Sequence, residues 1–219
     1  MTATRHHTAV RPQEPGEELL NAISHGLGAL LAVLATCFLL HRAIGLGGVL
    51  NRVSVSVFGG SMVVLYLFSC LYHALPAGRA KGVLQVFDHC SIFLLILGTY
   101  TPICLITIGG GRGVLLFSVL AACAVVGIAL NCVSLTRFKR QSLALYIIMG
   151  WMGILTLPAI LRALPLWGFL FLLLGGVSYT AGVCFYRHKE KRYWHGVWHF
   201  FVLGGTAFHF VTIYSCCCF

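Results

Sequence analysis

The chain has 219 residues, of which 59% are hydrophobic and only 9% charged, with a mean hydropathy of +0.92. A soluble globular domain carries about a quarter charged residues, so the composition excludes one and describes an integral membrane protein. The formal charge of +10, from 15 Lys+Arg against 5 Asp+Glu, would prompt a nucleic-acid reading. The basic residues, however, fall between apolar runs and form no continuous patch, so no nucleic-acid partner is expected.

Residues 1–16 are polar, carry His6, His7, Pro12 and Pro15, and read as a disordered cytoplasmic segment. The first apolar run begins near Leu19. It is too long for a signal-peptide core, and Glu17 and Glu18 precede it where a signal would be basic. Runs of about 20 apolar residues suit a membrane helix, and seven follow: 20–41, 53–75, 84–107, 113–134, 141–161, 164–186 and 196–216. The fifth and sixth are parted only by a tight turn around Arg162 and Pro165. Val53-Ser54-Val55-Ser56-Val57 alternates like a strand, but an open strand has no hydrogen-bond partners in lipid, so this stretch is predicted helical. Frequent glycines, such as Gly59-Gly60, Gly175-Gly176 and Gly204-Gly205, permit close helix packing. The fold class is therefore an all-α, seven-transmembrane helix bundle, with one membrane domain over 17–216 and a cysteine-rich tail at 217–219.

Eleven of the 15 basic residues lie on one side of these spans, among them Arg79, Lys81, Arg137, Lys139, Arg140, Lys191 and Arg192. The other four are Arg42, Arg52, Arg112 and Arg162. The positive-inside rule then puts the N-terminus in the cytoplasm and, after seven spans, the C-terminus outside. Ten cysteines show no C-x-x-C pair, and seven lie in or beside apolar runs, where cysteine behaves as a small hydrophobe. The ending Cys216-Cys217-Cys218-Phe219 formally fits a prenylation pattern. This topology holds it away from cytoplasmic enzymes.

The polar residues of the spans collect at one depth. The second run ends inward at Ser69 and His73, the third begins inward near Asp88, and the seventh begins inward with His195 and His199. Residues four apart share a helix face about 6 Å along the axis. His195 and His199 can therefore bind one metal ion, with His73 a third nitrogen. Three imidazoles plus water is a zinc arrangement with an open position. Asp88, the only aspartate, is placed to orient the water or accept its proton, and Ser69, one turn before His73, to donate a hydrogen bond. Glu18, Asn21 and His25 share a face of the first helix at the same side and would orient the ligands. His209 lies roughly 15 Å deeper and off that face, so it is not counted as a ligand. Each feature also has a plain structural explanation: an incidental His pair, an interfacial His73 or His89, an Asp88 at a positive helix end. Four groups from three helices at one depth are harder to explain that way.

Four stretches, "EELLNAISHGLGA" at 17–29, "FSCLYHAL" at 68–75, "FDHCSIFLLILGTYTP" at 87–102 and "WHGVWHFFVLGGTAFHF" at 194–210, resemble the hemolysin III family. This is the bacterial branch of the progestin and adipoQ receptor superfamily. The resemblance covers roughly residues 17–212. It implies a seven-helix bundle with a cytoplasmic N-terminus in a bacterial inner membrane, holding Zn2+ in its cytoplasmic half. The family's Ser-x-x-x-His corresponds to Ser69 and His73, its helix 3 aspartate to Asp88, and its His-x-x-x-His to His195 and His199. It further implies zinc-dependent hydrolysis of lipid amides, proposed for relatives, or the lytic activity that names the bacterial branch.

Three readings follow. In the first, a zinc-dependent hydrolase takes a lipid amide or ester entering between helices from the bilayer. In the second, a receptor or lipid-state sensor is cross-braced by structural zinc. In the third, the protein forms a pore, for which a path of polar groups through the bilayer is needed. The outer halves offer mainly Thr99, Thr101, Asn131 and Ser134 for that path. Membrane lipids are partners in all three, and the oligomeric state stays open.

Overall fold

The computed structural model describes residues 11–188 and 190–217. Seven helices long and apolar enough to cross a membrane follow one another: α1 (Pro15–Leu46), α2 (Val49–Ala74), α3 (Arg79–Ile108), α4 (Gly110–Val133), α5 (Lys139–Ala163), α6 (Leu166–Arg187) and α7 (Trp194–Cys216). No strand occurs among the described residues. The alternating Val53–Val57 stretch is helical, with Ser54 and Val55 buried and Ser56 donating to the Arg52 carbonyl at 2.7 Å. Hydroxyls elsewhere do the same: Thr36, Thr99, Thr101, Thr180 and Thr206 each return a proton to the carbonyl four residues back. In hydrocarbon this local bond satisfies the hydroxyl without a partner helix.

Two helices change pitch near a proline. α3 passes Pro102 and continues as a π-helix over Ile103–Ile108, closed by the Gly109 N–H on the Cys104 carbonyl at 3.0 Å. α5 tightens to a 3₁₀ turn over Met152–Thr156 before Pro158. Proline has no N–H for the ladder, and locally altered pitch accommodates the loss. Tyr100 of α3 holds the α5 break from outside the helix. Its hydroxyl donates to the Gly150 carbonyl at 2.9 Å and accepts from the Gly153 N–H at 2.8 Å.

α3 sits centrally, while α5 and α6 turn most of their surface outward. Large apolar side chains such as Leu30, Leu115, Val125, Leu155 and Leu166 are exposed on that outer surface, as a lipid-facing wall requires. One core gathers residues of α1, α2 and α7 with Leu95 and Ile103 of α3 and Ile160 of α5 around Phe58, Met62, Tyr66 and Leu39, and a second joins α3, α4 and α5 around Phe93, Leu120 and Met149. A polar brace crosses the second. Tyr146 donates to the His89 carbonyl at 2.7 Å and accepts from Asn131, whose carbonyl oxygen accepts from Ser142 at 2.7 Å.

Residues 11–16, within the lead-in expected to be disordered, carry defined contacts. Helix α1 starts at Pro15, and a capping box joins Glu14 and Glu17. Arg11 binds Glu17 at 2.6 Å and the Glu190 carbonyl at 3.2 Å, and Arg192 pairs with Glu14. Partners supplied by the α6–α7 loop order residues 11–16, and these partners are remote in sequence. Residues 1–10 of that expectation, and Cys218 and Phe219 of the tail, lie outside the described residues.

At Gly127 a Cβ would stand 2.1 Å from Phe93 Cζ, the ring that fills the α3–α4 interface. Gly127→Val is therefore expected to lower the melting temperature strongly, beyond the ~1–3 kcal/mol typical of overpacking. Fluorescence-detected size exclusion after graded heating would show it, with Gly60→Val, at a site with open space, as the tolerant control.

Candidate metal centre

Topology brings the end of α2 and the start of α7 to the same end of the bundle, the end that carries most Lys and Arg. There His73, His195 and His199 converge, each offering a ring nitrogen within 4.8 Å of the others. His195 and His199 come from one helical face, as their spacing predicts, and their ring centroids lie 4.8 Å apart. The His73 and His195 Nε2 atoms stand 3.2 Å apart, close to the ~3.3 Å edge of a tetrahedron with Zn–N arms of about 2.0–2.1 Å.

The surroundings settle which nitrogen of two rings is free. His73 Nδ1 lies 2.6 Å from Glu18 Oε2. A carboxylate only accepts, so Nδ1 carries the proton and a neutral ring presents the Nε2 lone pair. Ser24 Oγ lies 3.0 Å from His199 Nδ1 and donates to the Asn21 carbonyl at 3.0 Å. Its one proton is thus engaged, so it accepts from His199 Nδ1–H, and the His199 Nε2 lone pair is also exposed. Two Nε2 lone pairs turned inward among buried rings fit a cation at the centre.

Of the other residues anticipated from sequence, Glu18 contacts a triad histidine directly and is anchored by Lys81 at 3.1 Å. His25 stacks flat on His199, with ring centroids 3.6 Å apart, and neither of its nitrogens has a hydrogen-bond partner. Asn21 works through its backbone carbonyl on Ser24, while its side chain donates to Gln13. Asp88 and Ser69 are buried and line the same cavity as His195 and His199. His209 sits apart, its Nε2 at 3.2 Å from the Leu172 carbonyl.

Ser24 was not anticipated, although it adjoins His25 in "NAISHG" and lies one turn after Asn21. Glu17 was another. Its carboxylate accepts from the Tyr193 N–H at 2.7 Å, where Tyr193 adopts a left-handed φ of 61° immediately before α7. That contact fixes where α7 starts, and so where His195 points. Tyr66 packs edge-on against His25, and both Tyr66 and Tyr179 hydroxyls meet Thr206 Oγ1, at 2.6 and 2.7 Å.

The cavity holds about 120 Å³ of space for water-sized molecules and runs from Asp88, Ser69 and His195 past His25 to His209. Between α5 and α6 its lining includes the exposed Ile147, Gly150 and Thr180, and Trp151 Nε1 donates there to Thr180 at 3.0 Å. The cavity therefore opens sideways, through the wall that faces lipid.

Residues 14–210 match the family described as Haemolysin-III related. A hemolysin-3 homolog of Bacillus subtilis (strain 168) is 38% identical over 201 residues, covering 92% of this chain and 94% of that protein. Hemolysin-3 of Bacillus cereus is 39% identical over 197 residues, covering 90% of each.

Replacing Glu18 by Gln removes the carboxylate that sets the His73 tautomer. Metal affinity measured by chelator competition should fall about 10–100-fold, with Ser24→Ala weaker in the same direction. Seven apolar helices and bacterial relatives of nearly full length agree with a multi-pass protein of a bacterial plasma membrane, and the chain belongs to the hemolysin III family.

Proposed function

We propose that the protein is a zinc-dependent hydrolase of lipid amides or esters, working in the cytoplasmic half of the bilayer. The observation that carries this reading is a three-histidine cluster, with Nε2 lone pairs set inward by Glu18 and Ser24, at the head of a cavity open to lipid. Zinc held there supplies a Lewis acid for a carbonyl and a water of lowered pKa. His73, His195 and His199 hold the ion, and Glu18, Ser24 and the stacked His25 keep the rings in place. Asp88, on the cavity wall, takes the proton of the attacking water and returns it to the leaving amine or alcohol. Ser69 donates a hydrogen bond to the carbonyl oxygen as charge develops on it. The lipid enters between α5 and α6, its chain lying along the apolar lining and its carbonyl reaching the histidines.

A second reading, a receptor or lipid sensor braced by structural zinc, draws on the direct joining of α2 to α7 by His73 and His195. Lysis by a pore, suggested by the relatives' names, draws on no continuous polar path among the described residues.

Metal content by mass spectrometry on detergent-purified protein tests the site first. About one zinc per chain is expected, lost in His195→Ala/His199→Ala. Absence of metal from folded wild type would sink the hydrolase. Turnover of a fluorescent lipid amide then separates the readings. Asp88→Asn should keep its zinc and lose about 10²–10⁴-fold in rate, whereas structural zinc would give no turnover in any form.

A further inference from the structure

The end of the bundle opposite the histidine cluster carries a second cleft. It lies where the α3–α4 turn meets the end of α5, and its lining includes Gly109, Gly110, Gly111, Arg112, Ala159 and Arg162. It holds about 490 Å³ of space for water-sized molecules, within the ~300–1,000 Å³ of small-molecule sites. Gly109 and Gly110 adopt left-handed φ values of 63° and 56°, which favour glycine. A Cβ at Gly110 or Gly111 would meet nothing within 4 Å, so the turn beside Arg112 leaves its backbone open to a ligand.

Charge at this end is one-sided. The five acidic residues are Glu14, Glu17, Glu18, Asp88 and Glu190, and all belong to the histidine end. Arg42, Arg52, Arg112 and Arg162 therefore share the outer end with no acidic side chain. Arg112 and Arg162 are exposed and, among the described residues, make no hydrogen bond or ion pair. Two guanidinium groups bordering one cleft without a carboxylate favour an anion between them, and the guanidinium fork matches phosphate oxygens.

The position points to a phospholipid rather than a free anion. Arg112 and Arg162 stand at the outer ends of α4 and α5. Beside them in sequence Val114, Leu115 and Leu161 are exposed and apolar. A phospholipid sets its chains on this wall while its phosphate reaches the arginines, whereas a free anion uses none of it. The headgroup is constrained as well. An ammonium next to the phosphate would meet two like charges and no carboxylate, so a headgroup whose only charge is the phosphate fits better.

We propose that the cleft between the α3–α4 turn and the end of α5 binds an anionic phospholipid of the outer leaflet. Its headgroup is a phosphodiester with an uncharged glycerol substituent, held through the phosphate by Arg112 and Arg162. Basic pockets between membrane helices bind lipid headgroups in the same way. Binding there requires neither zinc nor hydrolysis.

The test is native mass spectrometry of the delipidated full-length protein in detergent, titrated with dioleoylphosphatidylglycerol. Compared with wild type, Arg112→Gln/Arg162→Gln should retain one lipid fewer per chain, the dissociation constant of that lipid rising about tenfold. Arg52→Gln, an outer arginine away from the cleft, should bind as wild type does. Dioleoylphosphatidylethanolamine should not distinguish wild type from the double variant, and inorganic phosphate at millimolar concentration should not displace the glycerol lipid. Equal retention by wild type and the double variant would overturn the proposal, as would an equal loss in Arg52→Gln, which marks bulk charge alone. The same difference with the ethanolamine lipid, or displacement by inorganic phosphate, would also overturn it. Should the double variant not fold, Arg112→Gln and Arg162→Gln singly decide: each should weaken retention, and no change in either rejects the site.

Discussion

Hydrocarbon offers no hydrogen bonds, and that constraint shapes this molecule from the backbone to the site. Every span closes its own ladder as a helix, and several interior threonines return their protons to the preceding turn. Where a proline breaks the ladder, the protein supplies a change of pitch and an outside partner, as Tyr100 does at the α5 break. Polar side chains that cannot be satisfied locally gather where helices meet. An unpaired polar group in lipid costs several kcal/mol, so such gatherings require an explanation beyond packing.

The histidine cluster is the largest of these gatherings, and each ring in it is held by a different device. A carboxylate from α1 sets His73, a serine from the same helix sets His199, and His25 covers His199 face to face. α1 thus contributes no nitrogen to the triad yet orients two of its three rings. Glu17 adds control at the next level by gripping the strained Tyr193 backbone that launches α7. The histidine cluster is consequently built across α1, α2 and α7, which also contribute to the larger apolar core.

The peripheral pair, α5 and α6, has a different role. Their outward faces are apolar and their junction opens the cavity to the side. The helices that hold the polar cluster thus stand against a pair whose surface is mostly turned outward.

Much of this was legible in the chain itself. Seven helices follow from the length of the apolar runs, because spanning a fixed thickness demands about 20 residues whatever the tertiary context. The His195–His199 face follows from helical pitch, and the shared depth of Ser69, His73, Asp88 and the α7 histidines from counting alternate spans. Tertiary structure alone decided what depends on remote neighbours. Residues 11–16 look featureless in sequence and are ordered by partners near 190, a contact no local pattern encodes. Which imidazole nitrogen is exposed and the use of Ser24 in place of the Asn21 side chain are set by ångström-scale contacts between helices. Periodicity tells which face a residue occupies. Only packing tells what that face meets.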